Sequence, residues 1–327
     1  MNYIKKYKDL KEDFILSKVI LFGEPMAMFT AEEEGPLEEV ELFRRSLAGA
    51  EVNVCTGLTR LGHKVEYITK LGEEPLGKYV KNFLDKEGIG TKFITFDPIY
   101  KTAIMLKSKV SSGDPVTAYY RKGSAFSYMT AEDIDKIDFH GVELVHVTGI
   151  PPALSLGCRE ATYRIMEKAR EEGAYITFDP NLRPALWESE EVMIKVINDL
   201  ASKCDLILPG ISEGLILTGS SDPDKIADFY QNLGINDIII KEGSKGAYVR
   251  SGSRTYRKKG FKVDKVVDTV GAGDGFAVGI ISGILEELEL EEAVVRGNAI
   301  GAIQVTFVSD NEGLPTREEL DKFIKEN

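Results

Sequence analysis

Short continuous apolar runs alternate along this chain with longer stretches in which apolar positions recur every three or four residues. Runs of the first kind lie at 19–22, 144–147, 175–178, 206–208 and 238–240, each bounded by polar or turn residues. Unbroken apolar character marks parallel strands covered on both faces. Helical spacing predicts helices over 52–61, 76–87, 155–172, 190–201 and 224–233. Strands and helices in alternation predict a three-layer, doubly wound α/β sheet.

Two segments break the rhythm. Residues 26–47 and 101–122 hold short extended stretches separated by charge and glycine, too short to be covering helices. They predict a small β lid, inserted discontinuously into a main domain spanning 18–327. Ahead of it, Tyr3, Tyr7, Leu10 and Phe14 recur at helical spacing and predict an N-terminal helical extension over 1–17. The pattern after residue 271 is helical, with helices expected at 271–288, 291–305 and 316–325.

Composition narrows the function. With 43% apolar and 29% charged residues, the 327-residue chain reads as a soluble globular protein. A net charge of −12 argues against nucleic acid and anionic membranes as partners. Cys55, Cys158 and Cys204 are far apart and read as core thiols, and the three histidines lack metal-ligand spacing. The charged N-terminus has no secretory h-region, and no apolar run reaches transmembrane length, so a cytoplasmic location is expected.

Chemistry concentrates in Asp268-Thr269-Val270-Gly271-Ala272-Gly273-Asp274-Gly275-Phe276. The first N–H groups of a helix lack intrahelical acceptors and the aligned peptide dipoles make that end positive, so anions bind there. Gly271 and Gly273 let the amides approach a phosphate without a Cβ in the way. Asp274 would repel the anion unless it works as a base, taking the proton that an attacking hydroxyl sheds in phosphoryl transfer. A helix cap is its plainer role. The candidate catalytic set is Asp274 with the amides of Gly271, Ala272 and Gly273.

This run, D-T-x-G-A-G-D-x-F, resembles the C-terminal signature of the ribokinase-type (PfkB) carbohydrate kinases, and similarity to that family extends from residue 19 to about 323. Neither a dinucleotide G-x-G-x-x-G fingerprint nor a P-loop is present. The resemblance implies a ribokinase-like fold, ATP as phosphoryl donor and Mg²⁺ as its counter-ion. Ala48-Gly49-Ala50-Glu51-Val52-Asn53 is similar to the family's N-terminal glycine signature, which implies that Gly49 and Asn53 contact the sugar. Lys241-Glu242-Gly243-Ser244-Lys245-Gly246 resembles its K-x-G-x-x-G loop, implying nucleotide contacts from Lys241, Gly243 and Gly246 together with Gly271 and Gly273.

Leu208-Pro209-Gly210-Ile211-Ser212-Glu213 stands at the family's N-x-x-E motif. Gly210 replaces the Asn, while Glu213 is retained and is implied to organise Mg²⁺ through water. Asp268 with the backbone of Val270 matches a monovalent-cation site, for K⁺, found in parts of the family.

Substrate choice rests on two further segments. In Val116-Thr117-Ala118-Tyr119-Tyr120-Arg121, strand alternation puts Tyr119 and Arg121 on one face, where a phenol and a guanidinium can grip a carboxylate. Phe178-Asp179-Pro180-Asn181-Leu182-Arg183 brings a second arginine past a strand end. Both segments resemble those of 2-keto-3-deoxygluconate kinases, implying that Tyr119 and Arg121 hold a sugar acid and that Arg183 lies between it and the transferring phosphate. The expected activity is ATP-dependent phosphorylation of the terminal hydroxyl of that sugar acid. Alternatives are a fructokinase or ribokinase acting on a neutral sugar, or a catalytically silent sugar-acid sensor. Exposed lid edges predict a homo-oligomer formed through the lid.

Overall fold

The computed structural model describes residues 19–110, 115–308 and 310–327; the expected helical extension at 1–17 lies outside them. One sheet of nine strands carries the apolar runs. Its spatial order is β13 (Arg254–Lys258), β12 (Ala247–Ser251), β11 (Asp237–Lys241), β10 (Leu206–Ile207), β9 (Tyr175–Asp179), β8 (Leu144–Thr148), β1 (Val19–Phe22), β4 (Val65–Gly72) and β5 (Ile94–Asp97). Strands from β11 to β5 are parallel, and β8 and β1 are buried along their whole length.

Alternation along β1 divides the interior. Ile20 and Phe22 join a core with Ile165, Met193, Ile197 and Ile226, whereas Val19 and Leu21 join one with Val54, Leu58, Val278, Ile281 and Val294. The sheet is thus covered on one face by helices Leu156–Glu171, Glu190–Ala201 and Pro223–Asn232. Helices Ala50–Arg60, Ala272–Leu285 and Leu290–Gln304 cover the other. The sheet is doubly wound, as the sequence predicts. It departs from an all-parallel reading at one edge, where β12 and β13 run antiparallel to β11 and to each other. Arg250, Arg254, Arg257 and Lys258 along that hairpin hide it from an apolar-run search.

A second sheet of four strands has the order β3 (Phe43–Ala48), β2 (Met26–Glu34), β6 (Ile104–Lys109) and β7 (Thr117–Tyr120). Met105 pairs with Tyr119 and Lys107 with Thr117, so these four share a face. Met105 and Lys107 are buried there, while Tyr120 on the opposite face is 63% exposed. No helix among the described residues is long and apolar enough to cross a membrane.

Candidate active site

Ligand sites in open α/β sheets lie beyond the carboxyl ends of the strands. Here the ends of β1, β8, β9, β10 and β11 present Glu24, Thr148, Asp179, Gly210 and Lys241, and the second sheet stands over that rim. The helix Ala272–Leu285 brings its N-terminus to the same place.

That helix starts as its glycines dictate. Gly271 caps it at φ +79, and a Cβ there would lie 2.5 Å from the carbonyl oxygen of Asp310. Only glycine fits such a turn without strain. The Ala272 N–H turns back to the Thr269 carbonyl at 3.4 Å, so it is not among the free amides expected of it. Gly273 and Asp274 keep N–H groups without an acceptor among the described residues. Beside them is Lys241, whose Nζ lies 3.7 Å from where a Gly273 Cβ would sit. Lys241 also pairs with Asp179 Oδ2 at 2.6 Å. Burial works against its ammonium, but Asp179, Glu213 and Asp274 outweigh burial and hold it charged.

Asp274 occupies the first turn of this helix. Its Oδ2 accepts from Asn53 Nδ2 at 2.8 Å, and its Oδ1 accepts from Asn181 Nδ2 at 3.5 Å. Burial pushes the carboxyl up to about 6; Asn53, Arg183 and Lys241 oppose the shift while Asp179 adds to it. A carboxylate with that value is ionised at neutral pH yet basic enough to take a proton. Asn53 is buried, and its amide oxygen accepts from Asn311 Nδ2 at 3.5 Å. Asn53 is thus placed to orient Asp274 through its amide.

Gly49 precedes the helix Ala50–Arg60 at φ +142, with the carbonyl oxygen of Glu24 2.9 Å from where a Cβ would be. Tyr119 is half exposed on the face of the second sheet that turns toward the rim. Arg121 follows β7 and reaches inward, donating from Nε to Glu24 Oε2 at 2.7 Å. Glu24 also accepts from the Ser124 hydroxyl, and burial raises its carboxyl despite the two partners that oppose it. Among the described residues the two terminal nitrogens of Arg121 have no partner. Arg183 is exposed and folds onto its own loop, with NH1 2.9 Å from the Leu182 carbonyl.

Three of the expected site residues have partners within the protein. Both Glu213 oxygens are occupied by backbone N–H groups, Leu182 at 2.9 Å and Gly210 at 2.7 Å, so Glu213 clamps the turn after β9 to the turn after β10. The turn at Gly246, φ +103, packs against the backbone of Lys258 to Gly260, not against an open cleft, whereas Gly243 faces open space. Asp268 does not stand ready for a free monovalent ion, because its Oδ2 lies 2.7 Å from Lys107 Nζ. Among the described residues no group of three or more His, Cys, Asp or Glu comes together to cage a metal.

Several members of this constellation escaped sequence reasoning. Asp179 ends a strand, Asn181 and Glu24 each follow one, and Asn181 adopts φ +39, a value that asparagine tolerates better than most residues. Their position after apolar runs was the available signal. Glu51 is another, buried with its carboxyl pushed up to about 7, the push opposed by a hydrogen bond from Thr148. Nothing local marks it, since its partner is 97 residues away.

Comparison with known proteins matches the model for pfkB family carbohydrate kinases over residues 16–317. The chain is 48% identical to a 2-dehydro-3-deoxygluconokinase of Bacillus subtilis, over 93% of this chain and 94% of that one. It is 31% identical to a 2-dehydro-3-deoxygluconokinase of Thermoproteus tenax, over 94% of each. A crystal structure of a PfkB protein from Polaromonas superposes with a TM-score of 0.87 at 42% identity, covering 94% of this chain and 99% of that one.

Proposed function

Because the chain belongs to the pfkB family of carbohydrate kinases, we propose that it transfers the γ-phosphoryl group of ATP to the terminal hydroxyl of 2-keto-3-deoxygluconate. The observation that carries the reading is Asp274, a carboxylate raised to about 6 in the first turn of a helix whose neighbouring amides lack acceptors among the described residues.

The hydroxyl oxygen attacks the γ-phosphorus as Asp274 accepts its proton; the new P–O bond forms as the bond to the β-phosphate bridging oxygen breaks, and ADP leaves. The N–H groups of Gly273 and Asp274, with Lys241 beside them, stabilise charge on the transferring group. When bound, Mg²⁺ would neutralise the nucleotide phosphates and would be held by them and by water, since among the described residues no group of three or more His, Cys, Asp or Glu comes together to cage it. The second sheet acts as a lid, inserted as two segments about 26–47 and 101–122, and excludes water from the transfer.

Glu24 holds Arg121 through Nε and leaves its terminal nitrogens for the substrate carboxylate, and Tyr119 faces the same space. One observation favours a second reading: Glu24 also offsets the charge of Arg121, as suits a neutral sugar such as fructose. Coupled ADP release across 2-keto-3-deoxygluconate, its galactonate epimer, fructose and ribose separates the two, with Asp274→Asn as control. Turnover of the keto-acids that collapses in the variant supports the proposal. Turnover of fructose or ribose alone keeps the kinase and rejects the substrate.

A second copy of the chain is proposed to cover the outer face of the lid, where Val116 and Tyr120 are 65% and 63% exposed beside an open groove of about 770 Å³. Sedimentation showing only monomer at working concentration would reject that arrangement.

A further inference from the structure

We infer that Lys107 is a built-in cation for the phosphate cradle, its ammonium standing where a monovalent ion would otherwise be needed, so that nucleotide binding here is independent of potassium. The inference rests on reading the turn from Asp268 to Gly273 as that cradle.

Lys107 projects from β6, in the second sheet, and its side chain is 3% exposed. Its Nζ lies 2.7 Å from Asp268 Oδ2 and 3.3 Å from Asp310 Oδ1, carboxylates that are themselves only 11% and 6% exposed. Each acid supports the cradle from a different side. Asp268 opens the turn, and its other oxygen accepts the N–H of Val270 at 3.0 Å. Asp310 backs it, with its carbonyl oxygen against Gly271. Two carboxylates this close and this buried repel unless a cation lies between them or one takes a proton. Without that cation the two acids would push apart, Asp268 would hold Val270 less firmly, and the turn would lose the shape that aims its amides.

The charge requirement is one positive unit, and an ammonium is a compact carrier of it. Burial works against the charge on Lys107, yet Asp310 and Asp268 more than offset that, and the lysine is held above its ordinary value. A potassium ion added beside it would set two like charges among the same oxygens. The site implied for a free ion at Asp268 and Val270 therefore does not suit one.

Attachment has a further consequence. A free ion would answer only to the cradle, whereas Lys107 belongs to the second sheet, so the ion pair also ties lid to cradle. Arg44 in β3 adds a parallel tie to Glu312 at 3.1 Å. The positive charge is then in place only when the lid strand is.

The test measures Mg-ADP affinity, by calorimetry and by the shift in melting temperature, in potassium, sodium and tetramethylammonium chloride at equal ionic strength. Wild type is expected to bind equally in all three, within about twofold, whereas coupling through an ion site typically changes affinity about fivefold or more. Lys107→Met is expected to bind about tenfold more weakly in tetramethylammonium and to regain part of the loss in potassium or ammonium chloride. Tightening of wild-type binding by potassium severalfold would overturn the inference, as would a Lys107→Met protein that binds like wild type in every salt. If the variant does not fold, the wild-type series alone decides. No sugar enters the assay, so an incorrect sugar assignment leaves this result intact.

Discussion

The side-chain amide of Asn53 donates to Oδ2 of Asp274 at 2.8 Å, joining the first turns of two helices across 221 residues of sequence. A hydrogen bond to the charged form favours that form, so Asn53 holds down a carboxyl that burial otherwise raises. The value of about 6 is a balance, and each side of it can be altered.

As the proposed base, Asp274 must be ionised to accept the hydroxyl proton, so kcat/KM should fall as pH drops through about 6. Asn53→Ala removes the group that opposes burial and should move this acid limb upward, leaving Asp274 less ionised at neutral pH. A pH profile of each protein checks it; an acid limb unmoved in the variant would count against Asn53 as the orienting group.

Asp274 should also be a stability liability. Its folded value lies above the ordinary carboxylate value of 3.8, so the folded state holds the proton more tightly than the unfolded chain. The stability gained from that proton is present below about 4 and is lost as pH rises through about 6. Asp274→Asn should therefore raise stability at pH 7 to 8 by about 1–2 kcal/mol, a figure discounted because the residue is only half-buried. The gain should fade at acid pH. Urea midpoints at neutral and acid pH measure both, and a destabilised Asn variant at neutral pH would reject the account.

Lys241 and Asp179 form an ion pair of 2.6 Å at the ends of β11 and β9, with Asp179 only 3% exposed. Lys241→Met should cost roughly 3 kcal/mol of stability by leaving a buried carboxylate unpaired. It should also raise the KM for ATP. Adding Asp179→Asn should restore most of the stability and none of the ATP affinity, a split that a merely structural pair would not give. Chemical denaturation and initial rates on the three variants distinguish these outcomes.

Much of this arrangement was legible in the sequence where the physics is local. The turn from Asp268 to Asp274 needs glycine at 271 for its backbone and places Asp274 in the first helical turn, and both follow from neighbouring residues. The order of apolar runs and helical stretches likewise gave the doubly wound sheet, because its strands are buried on both faces. What was hidden is pairing across distance. Lys107 lies 161 residues from Asp268, and a lysine in a short strand reads as solvated until its partners are seen. The sugar contact of Asn53 was implied by the family's glycine signature, whereas its hydrogen bond to Asp274, 221 residues away, carries no local mark. Glu24 and Glu51 carry no local mark of burial, and only the packed rim shows them to be enclosed.

Arg121 and Glu24 give the decisive test of substrate class. Glu24 is 2% exposed and its carboxyl is raised by burial, so Arg121→Ala alone strands a buried acid and confounds lost binding with lost stability. Arg121→Ala with Glu24→Gln removes the guanidinium without leaving that charge behind. If the terminal nitrogens of Arg121 hold a carboxylate, the double variant should lose about 100-fold in kcat/KM on a sugar acid, the scale of a charged hydrogen-bonded pair. Glu24→Gln alone should lose less, because the guanidinium remains to meet the substrate. On a neutral sugar the double variant should lose little. Initial rates on 2-keto-3-deoxygluconate and fructose for both variants decide it: equal losses on the two sugars would mean that Arg121 braces Glu24 and the end of β1 and does not read the substrate's charge.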